Sequence, residues 1–240
     1  MKLKLAILFL FSFYYPSSAV TNSGQKATFT VGNKELPLVI TNAVEDTLPM
    51  FFLFSGDGGW KSFDANLTSE LAKYHIPSIG INCNSYFWKK KTPKETASDI
   101  APLLRKYLKL WNKKELIFSG YSFGAEVMPF VYNQLPPDLK AKVRMVVSLT
   151  PSDFSDFEIH LNDMLGFNGK NYPYLVSDEI KKINSVPVII FWGEKEKAEF
   201  ASTIKQENIK VYFISGNHNF TDHKTIVSVI MHSLNKTLTH

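Results

Sequence analysis

The chain has 240 residues, 45% of them apolar, with 27 Lys and Arg against 22 Asp and Glu. That length suits one α/β domain with a substantial core, and a formal charge of +5 falls short of a nucleic-acid-binding signature. With Cys83 as its single cysteine the chain can form no intrachain disulfide, so its core must carry its stability.

Met1-Lys2-Leu3-Lys4 is a basic opening, and Leu5 to Tyr15 is apolar apart from Ser12. Pro16-Ser17-Ser18-Ala19 then supplies small residues, so residues 1–19 are expected to be a signal peptide cleaved after Ala19. The apolar run is too short for a stable membrane span. Cleavage removes Lys2 and Lys4 and no acid, and the formal charge falls from +5 to +3. Localisation in the periplasm follows as an expectation, with residues 20–240 as one domain.

A first strand is expected around Ala27–Val31 and a second over Glu35–Thr41, joined by a turn at Gly32-Asn33. Pro49 to Phe54 is continuously apolar, as a strand buried on both faces should be. It leads into Ser55-Gly56-Asp57-Gly58-Gly59-Trp60. Such a loop is an ordinary strand-to-helix turn or half of an oxyanion hole, in which the amides of Gly56 and Asp57 face a developing negative charge. No Gly-Lys-Ser/Thr follows, which argues against a phosphate-binding loop. Phe63, Leu67 and Leu71 mark a helix over 62–74, and Ile76–Ile81 reads as the next strand, with Cys83 a small buried residue at its end.

Asn84 to Lys91 combines Tyr86, Phe87 and Trp88 with three lysines. These aromatics are candidate substrate-binding residues at a lipid-facing rim, or else anchors of a loop with a solvated basic tip. Thr92-Pro93-Lys94-Glu95 has the form of a capping box, and the helix it starts carries an apolar stripe to Trp111. Val143–Leu149, Pro187–Trp192 and Ile209–Ile214 are further strands. Residues 153–180 are irregular, and a closing helix spans 224–234. Alternating strands and helices with short loops predict a mostly parallel sheet covered on both faces.

Between Leu116-Ile117-Phe118 and a helix running to about Asn133 stands Gly120-Tyr121-Ser122-Phe123-Gly124. G-x-S-x-G in that setting is the nucleophile elbow of an α/β-hydrolase, with the Phe123 amide as the other oxyanion donor. Serine needs a base to take its proton and a carboxylate to fix the base's tautomer. Serine, acid and histidine follow in that order in such chains. His218, after the last strand, is the preferred base, with His223 its rival. Glu196, after the preceding strand, is the preferred acid, with Glu194, Glu199 and Asp153 as alternatives. No metal-ligand spacing and no dinucleotide fingerprint occurs, so neither metal nor cofactor is expected.

More specific than the elbow are Ser55–Trp60, Tyr86-Phe87-Trp88 with Thr92-Pro93, Gly120–Glu126 with Pro129-Phe130, Phe157-Glu158, and Gly216-Asn217-His218-Asn219-Phe220. In these the chain resembles the bacterial VirJ/AcvB virulence-protein family. It departs from the family pattern at Asn82, Asn217 and Asn219, and none of these departures removes a residue of the triad. The resemblance implies a periplasmic serine hydrolase, and the modest net charge argues against a nucleic-acid partner. Some relatives cleave aminoacyl-phosphatidylglycerol at the membrane surface. Others are accessory factors of type IV secretion, which makes a non-catalytic scaffold the alternative reading.

Overall fold

The computed structural model describes residues 24–43, 47–160, 172–198, 200–219 and 221–236. The expected signal segment 1–19, Glu199 and part of the irregular 153–180 stretch lie outside the described residues. The strands are β1 (Gln25–Val31), β2 (Lys34–Thr41), β3 (Met50–Phe54), β4 (Ser78–Ile81), β5 (Leu116–Tyr121), β6 (Val143–Leu149), β7 (Phe154–Ser155), β8 (Tyr174–Leu175), β9 (Val188–Gly193) and β10 (Ile209–Ile214). The helices are α1 (Ser62–Lys73), α2 (Cys83–Tyr86), α3 (Pro93–Leu110), α4 (Phe123–Asn133), α5 (Pro137–Lys140), α6 (Val176–Lys181) and α7 (His223–Lys236).

Eight strands form one sheet in the order β1-β2-β4-β3-β5-β6-β9-β10. β2 runs antiparallel to both neighbours, β4, β3, β5, β6, β9 and β10 are mutually parallel, and β7 and β8 form a separate antiparallel pair. The β1–β2 turn passes through Gly32 at φ 58°, a conformation glycine adopts without steric cost. The continuous apolar runs work because alternate side chains serve opposite faces. Phe52, Phe54, Phe118 and Val146 pack into one core with Ile100 and Leu104 of α3 and Val127 and Val131 of α4. Phe51, Leu53, Ile117, Met145 and Val147 pack into a second core with Leu67 and Leu71 of α1 and Ile226 and Ile230 of α7. Burying one such side chain contributes roughly 1.5–3 kcal/mol, so both layers are strongly fixed.

The structure corrects the sequence-based expectations in places. β4 starts at Ser78 rather than Ile76, because Pro77 has no N–H for the ladder and supplies only its carbonyl, to Phe51. β5 continues through Ser119-Gly120-Tyr121, where small and polar residues hide a strand from hydrophobicity patterns. Ser119 is fully buried there because its hydroxyl donates to the Phe52 carbonyl at 2.6 Å. Cys83 is buried as expected, but it opens α2 rather than closing a strand. The capping box is half formed. Thr92 Oγ1 accepts from the Glu95 amide at 3.1 Å, while the Glu95 carboxylate pairs with Lys34 at 2.9 Å.

Candidate active site

Ser122 sits between β5 and α4 at φ 52°, ψ −124°, a strained backbone for a residue with a side chain. Its amide donates to the Leu149 carbonyl at 2.9 Å, and its own carbonyl accepts from Ala125 and Glu126 at 2.8 and 3.1 Å. The two glycines make this turn possible by close approach. A Cβ at Gly120 would overlap the Gly124 carbonyl, and one at Gly124 would overlap the Phe54 carbonyl. These obstacles are backbone and cannot swing away. Gly124→Ala is therefore expected to cost about 3 kcal/mol, read as a lowered Tm in thermal unfolding.

The loops after β9 and β10 bring the other two groups to the serine. Parallel pairing sets Gly193 beside Ile214, so the following residues emerge side by side. They are pressed together: Lys195 N–H donates to Gly216 O at 3.1 Å, and a Cβ at Gly193 would stand 2.5 Å from Asn217 O. His218 Nε2 lies 2.8 Å from Ser122 Oγ, and His218 Nδ1 lies 2.7 Å from Glu196 Oε1. The second carboxylate oxygen of Glu196 accepts from the Gly193 amide at 2.6 Å, which fixes the acid. A proton on Nδ1, held by the carboxylate, leaves the Nε2 lone pair facing the hydroxyl. The Glu196 side chain is 15% exposed and that of His218 44%, so the acid is shielded and the imidazole open.

The rival residues sit elsewhere. Glu194 is exposed, and its amide joins Ile214 O. Asp153 Oδ1 accepts from the Ser177 amide near the start of α6. His160 bonds Asp156 at 2.5 Å. His223 opens α7 with its ring 5.0 Å from that of Phe63. Two residues that sequence patterns did not single out hold His218 in place. The Tyr121 hydroxyl reaches His218 O at 3.2 Å and Asn219 Oδ1 at 3.1 Å, and Thr150 Oγ1 lies 3.5 Å from His218 Nε2.

The candidate oxyanion donors converge on the same point. The Phe123 amide is the first of α4, where helical N–H groups lack intrahelical partners and the helix dipole is positive. Gly56 is close enough that its Cβ would be 3.5 Å from Ser122 Cβ. The amides of Gly56 and Asp57 find no acceptor among the described residues. Their loop is held by Gly59 N–H to Gly56 O at 3.0 Å and by Asn84 Nδ2 to Asp57 O at 2.7 Å.

Two cavities flank Ser122, and Asp57 and His218 line both. One, of about 720 Å³, is walled by the 56–59 loop, Lys61, Asp64, Tyr121 and His223. The other, of about 530 Å³, is walled by Phe123, Glu126, Ser152–Asp156, Glu158–His160 and Tyr172. The described parts of the 153–180 segment thus form a wall of the site.

Tyr86 and Phe87, read from the sequence as substrate-binding, are core residues instead. Phe87 is fully buried against Phe54, Phe123 and Phe157. Tyr86 is buried with its hydroxyl donating to Asp99 at 2.8 Å. Trp88 is 54% exposed but lines neither cavity beside Ser122. The aromatic cluster anchors the loop; Lys89 and Lys90 are exposed, while Lys91 lies over the Tyr86 ring at 4.5 Å.

Burial raises two carboxyls near the serine. Desolvation pushes Glu126 up to about 7 despite its bond to Ser152. Desolvation also pushes Asp64 up to about 7, although Asp64 Oδ2 accepts from the Lys61 amide. The folded chain therefore holds the Asp64 proton between the ordinary 3.8 and about 7, where the unfolded chain has lost it. This stability is present at low pH and is lost as pH rises toward and through 7. Asp64→Asn is thus expected to raise Tm at pH 8 and to leave it near wild type at pH 4.

One group that could ligate a metal went unnoticed in the sequence. Donor atoms of Asp156, Glu158 and His160 lie within 4.8 Å of one another. They line the second cavity.

Sheet order, elbow and hydrogen-bonded serine, histidine and glutamate define an α/β-hydrolase. The structure is similar to Est1E from Butyrivibrio proteoclasticus, with a TM-score of 0.65 at 12% identity, over 90% of this chain and 99% of that one. It is similar to the naproxen esterase from Bacillus subtilis, with a TM-score of 0.58 at 10% identity over 90% and 92%. An alpha-beta serine hydrolase homologue from Coxiella burnetii gives 0.56 at 14% identity over 88% and 96%. Such low identities speak for the fold. No curated protein matches the sequence. The model of the bacterial virulence protein family VirJ matches residues 46–238, and the chain belongs to that family.

Proposed function

We propose that the chain is a periplasmic serine esterase that cleaves the aminoacyl ester of a phospholipid headgroup such as aminoacyl-phosphatidylglycerol. The observation that carries the reading is the unbroken relay from Ser122 through His218 to Glu196, at 2.8 and 2.7 Å, set between two open cavities. In the first step Ser122 Oγ attacks the ester carbonyl while His218 Nε2 takes its proton. The amides of Phe123 and of Gly56 or Asp57 hold the oxyanion. His218 then protonates the leaving alcohol and activates a water that releases the acid. Glu196 keeps the imidazole oriented and stabilises its charged form.

The phospholipid substrate and the periplasm rest on the family and on the signal-like residues 1–19. Among the described residues no helix is long and apolar enough to cross a membrane. The purified mature chain is expected to release free amino acid from lysyl- or alanyl-phosphatidylglycerol in detergent micelles. If both lipids stay intact while a fluorophosphonate probe labels Ser122, the lipid assignment is wrong and the esterase stands. If the folded protein is not labelled, the esterase reading fails. A role as an accessory partner of an envelope secretion machine then takes its place.

A further inference from the structure

β6 ends at Leu149, and the next residue, Thr150, turns into the left-handed region at φ 51°. Its branched Cβ makes that conformation an outlier, one that glycine or asparagine adopts far more readily. The backbone around it fixes the turn. Its amide donates to Phe191 O at 2.8 Å, and the carbonyl just before it, Leu149 O, accepts from the Ser122 amide at 2.9 Å. Ser122 is itself at φ 52°, so two strained residues meet at the nucleophile. Strain of this kind persists where the surrounding structure over-determines it, and it gathers at functional sites.

The side chain held in this way reaches the catalytic base. Thr150 is 1% exposed, and among the described residues its hydroxyl has one hydrogen-bond partner, His218 Nε2 at 3.5 Å. The same nitrogen has Ser122 Oγ at 2.8 Å. With the Nδ1 proton held by Glu196, Nε2 offers one lone pair to two hydroxyls, and the nearer one takes it. In the resting enzyme Thr150 therefore adds little. The balance changes once Ser122 is acylated. The serine proton has left with the alcohol, and Oγ has become an ester oxygen that cannot donate. The imidazole, 44% exposed, then loses its tether on the Nε2 side while it must still take a proton from water.

We propose that Thr150 is a positioning residue for deacylation, its hydroxyl holding His218 toward the acyl-enzyme when the serine can no longer do so. This role rests on the serine-esterase reading above. At 3.5 Å the hydroxyl donates weakly, enough to orient the ring and too little to keep water off Nε2. The water oxygen then forms its bond to the acyl carbon while its proton passes to Nε2, and the carbonyl π pair moves onto the oxygen in the oxyanion hole. A hydroxyl accepts as well as donates, so Thr150 Oγ1 next accepts from the charged Nε2–H. When the tetrahedral intermediate collapses, the carbon–Oγ bond of Ser122 breaks and Nε2 returns its proton to that oxygen. The two hydroxyls thus serve one nitrogen in turn.

The test uses p-nitrophenyl acetate, whose good leaving group makes acylation fast, so that kcat reads deacylation and kcat/KM reads acylation. In Thr150→Val, which keeps the branched Cβ and removes the hydroxyl, kcat is expected to fall by about tenfold, the scale of one hydrogen bond. KM should fall with it, leaving kcat/KM within about twofold of wild type, and the nitrophenolate burst should sharpen. Thr150→Ser keeps the hydroxyl and should hold kcat within about threefold of wild type. Thr150→Ala supplies the same reading if valine unfolds the chain. A fall in kcat/KM as large as that in kcat would show a resting triad thrown out of place, a structural role, and would overturn the proposal. So would a kcat unmoved in Thr150→Val, or lost equally in Thr150→Ser. Both results leave the esterase standing. Absence of fluorophosphonate labelling in the folded wild type would instead remove the esterase reading, and this role with it.

Discussion

Ser122→Ala is expected to lower kcat by about 10⁴–10⁶-fold and to abolish labelling by a fluorophosphonate probe. His218→Ala should match it, because serine without its base is a weak nucleophile and the pair act as one unit. The two losses should not multiply in the double variant. Both side chains face open cavities, so their truncation leaves the cores intact, and Tm should stay near that of wild type. Alanine keeps the Cβ and so meets the same backbone strain at φ 52°. Full ester cleavage by folded Ser122→Ala would show that the reaction runs elsewhere.

Glu196→Gln should cost about 10⁴-fold in kcat, the scale seen when a triad acid becomes an amide. The reason is the tautomer. A carboxylate can only accept, so it holds the proton on His218 Nδ1, 2.7 Å away. An amide can donate there instead, which moves the proton to Nε2 and leaves nothing to take one from Ser122. The amide can still accept from the Gly193 N–H, so the loop keeps its shape. Glu194→Gln is the control, and its kcat should stay within about twofold of wild type, since surface changes away from a site are usually nearly neutral. A large loss at Glu194 and none at Glu196 would reverse the assignment of the acid.

Much of this site could be read along the chain. G-x-S-x-G marks the elbow because the turn tolerates only small residues at Gly120 and Gly124, a local steric demand. Strands β3 and β9 show as continuous apolar runs because both faces of the sheet are covered. His218 and Glu196 could be ranked by position, since parallel strands deliver their following loops to one edge. The choice between Glu196 and Glu194 could not be settled in that way. The two lie two residues apart, and only the press of the 216–217 backbone against Gly193 and Lys195 turns one of them to the histidine.

The aromatic block at Tyr86-Phe87-Trp88 shows the converse. As a string it suits an exposed rim and a buried anchor equally well. The tertiary structure decides, because Phe54, Phe123 and Phe157 close around Phe87. The acidic lining of the second cavity was invisible for a related reason. Asp57, Glu126 and the 153–158 carboxylates come from three separate loops and helices, each with an ordinary number of charges. By itself the sequence determined what periodicity and local sterics encode, namely the strands, the helices and the sharp turn at Ser122. Which side chains share a cavity, and with what summed charge, was decided only when the sheet brought distant segments within a few ångströms, where Coulomb and desolvation terms act.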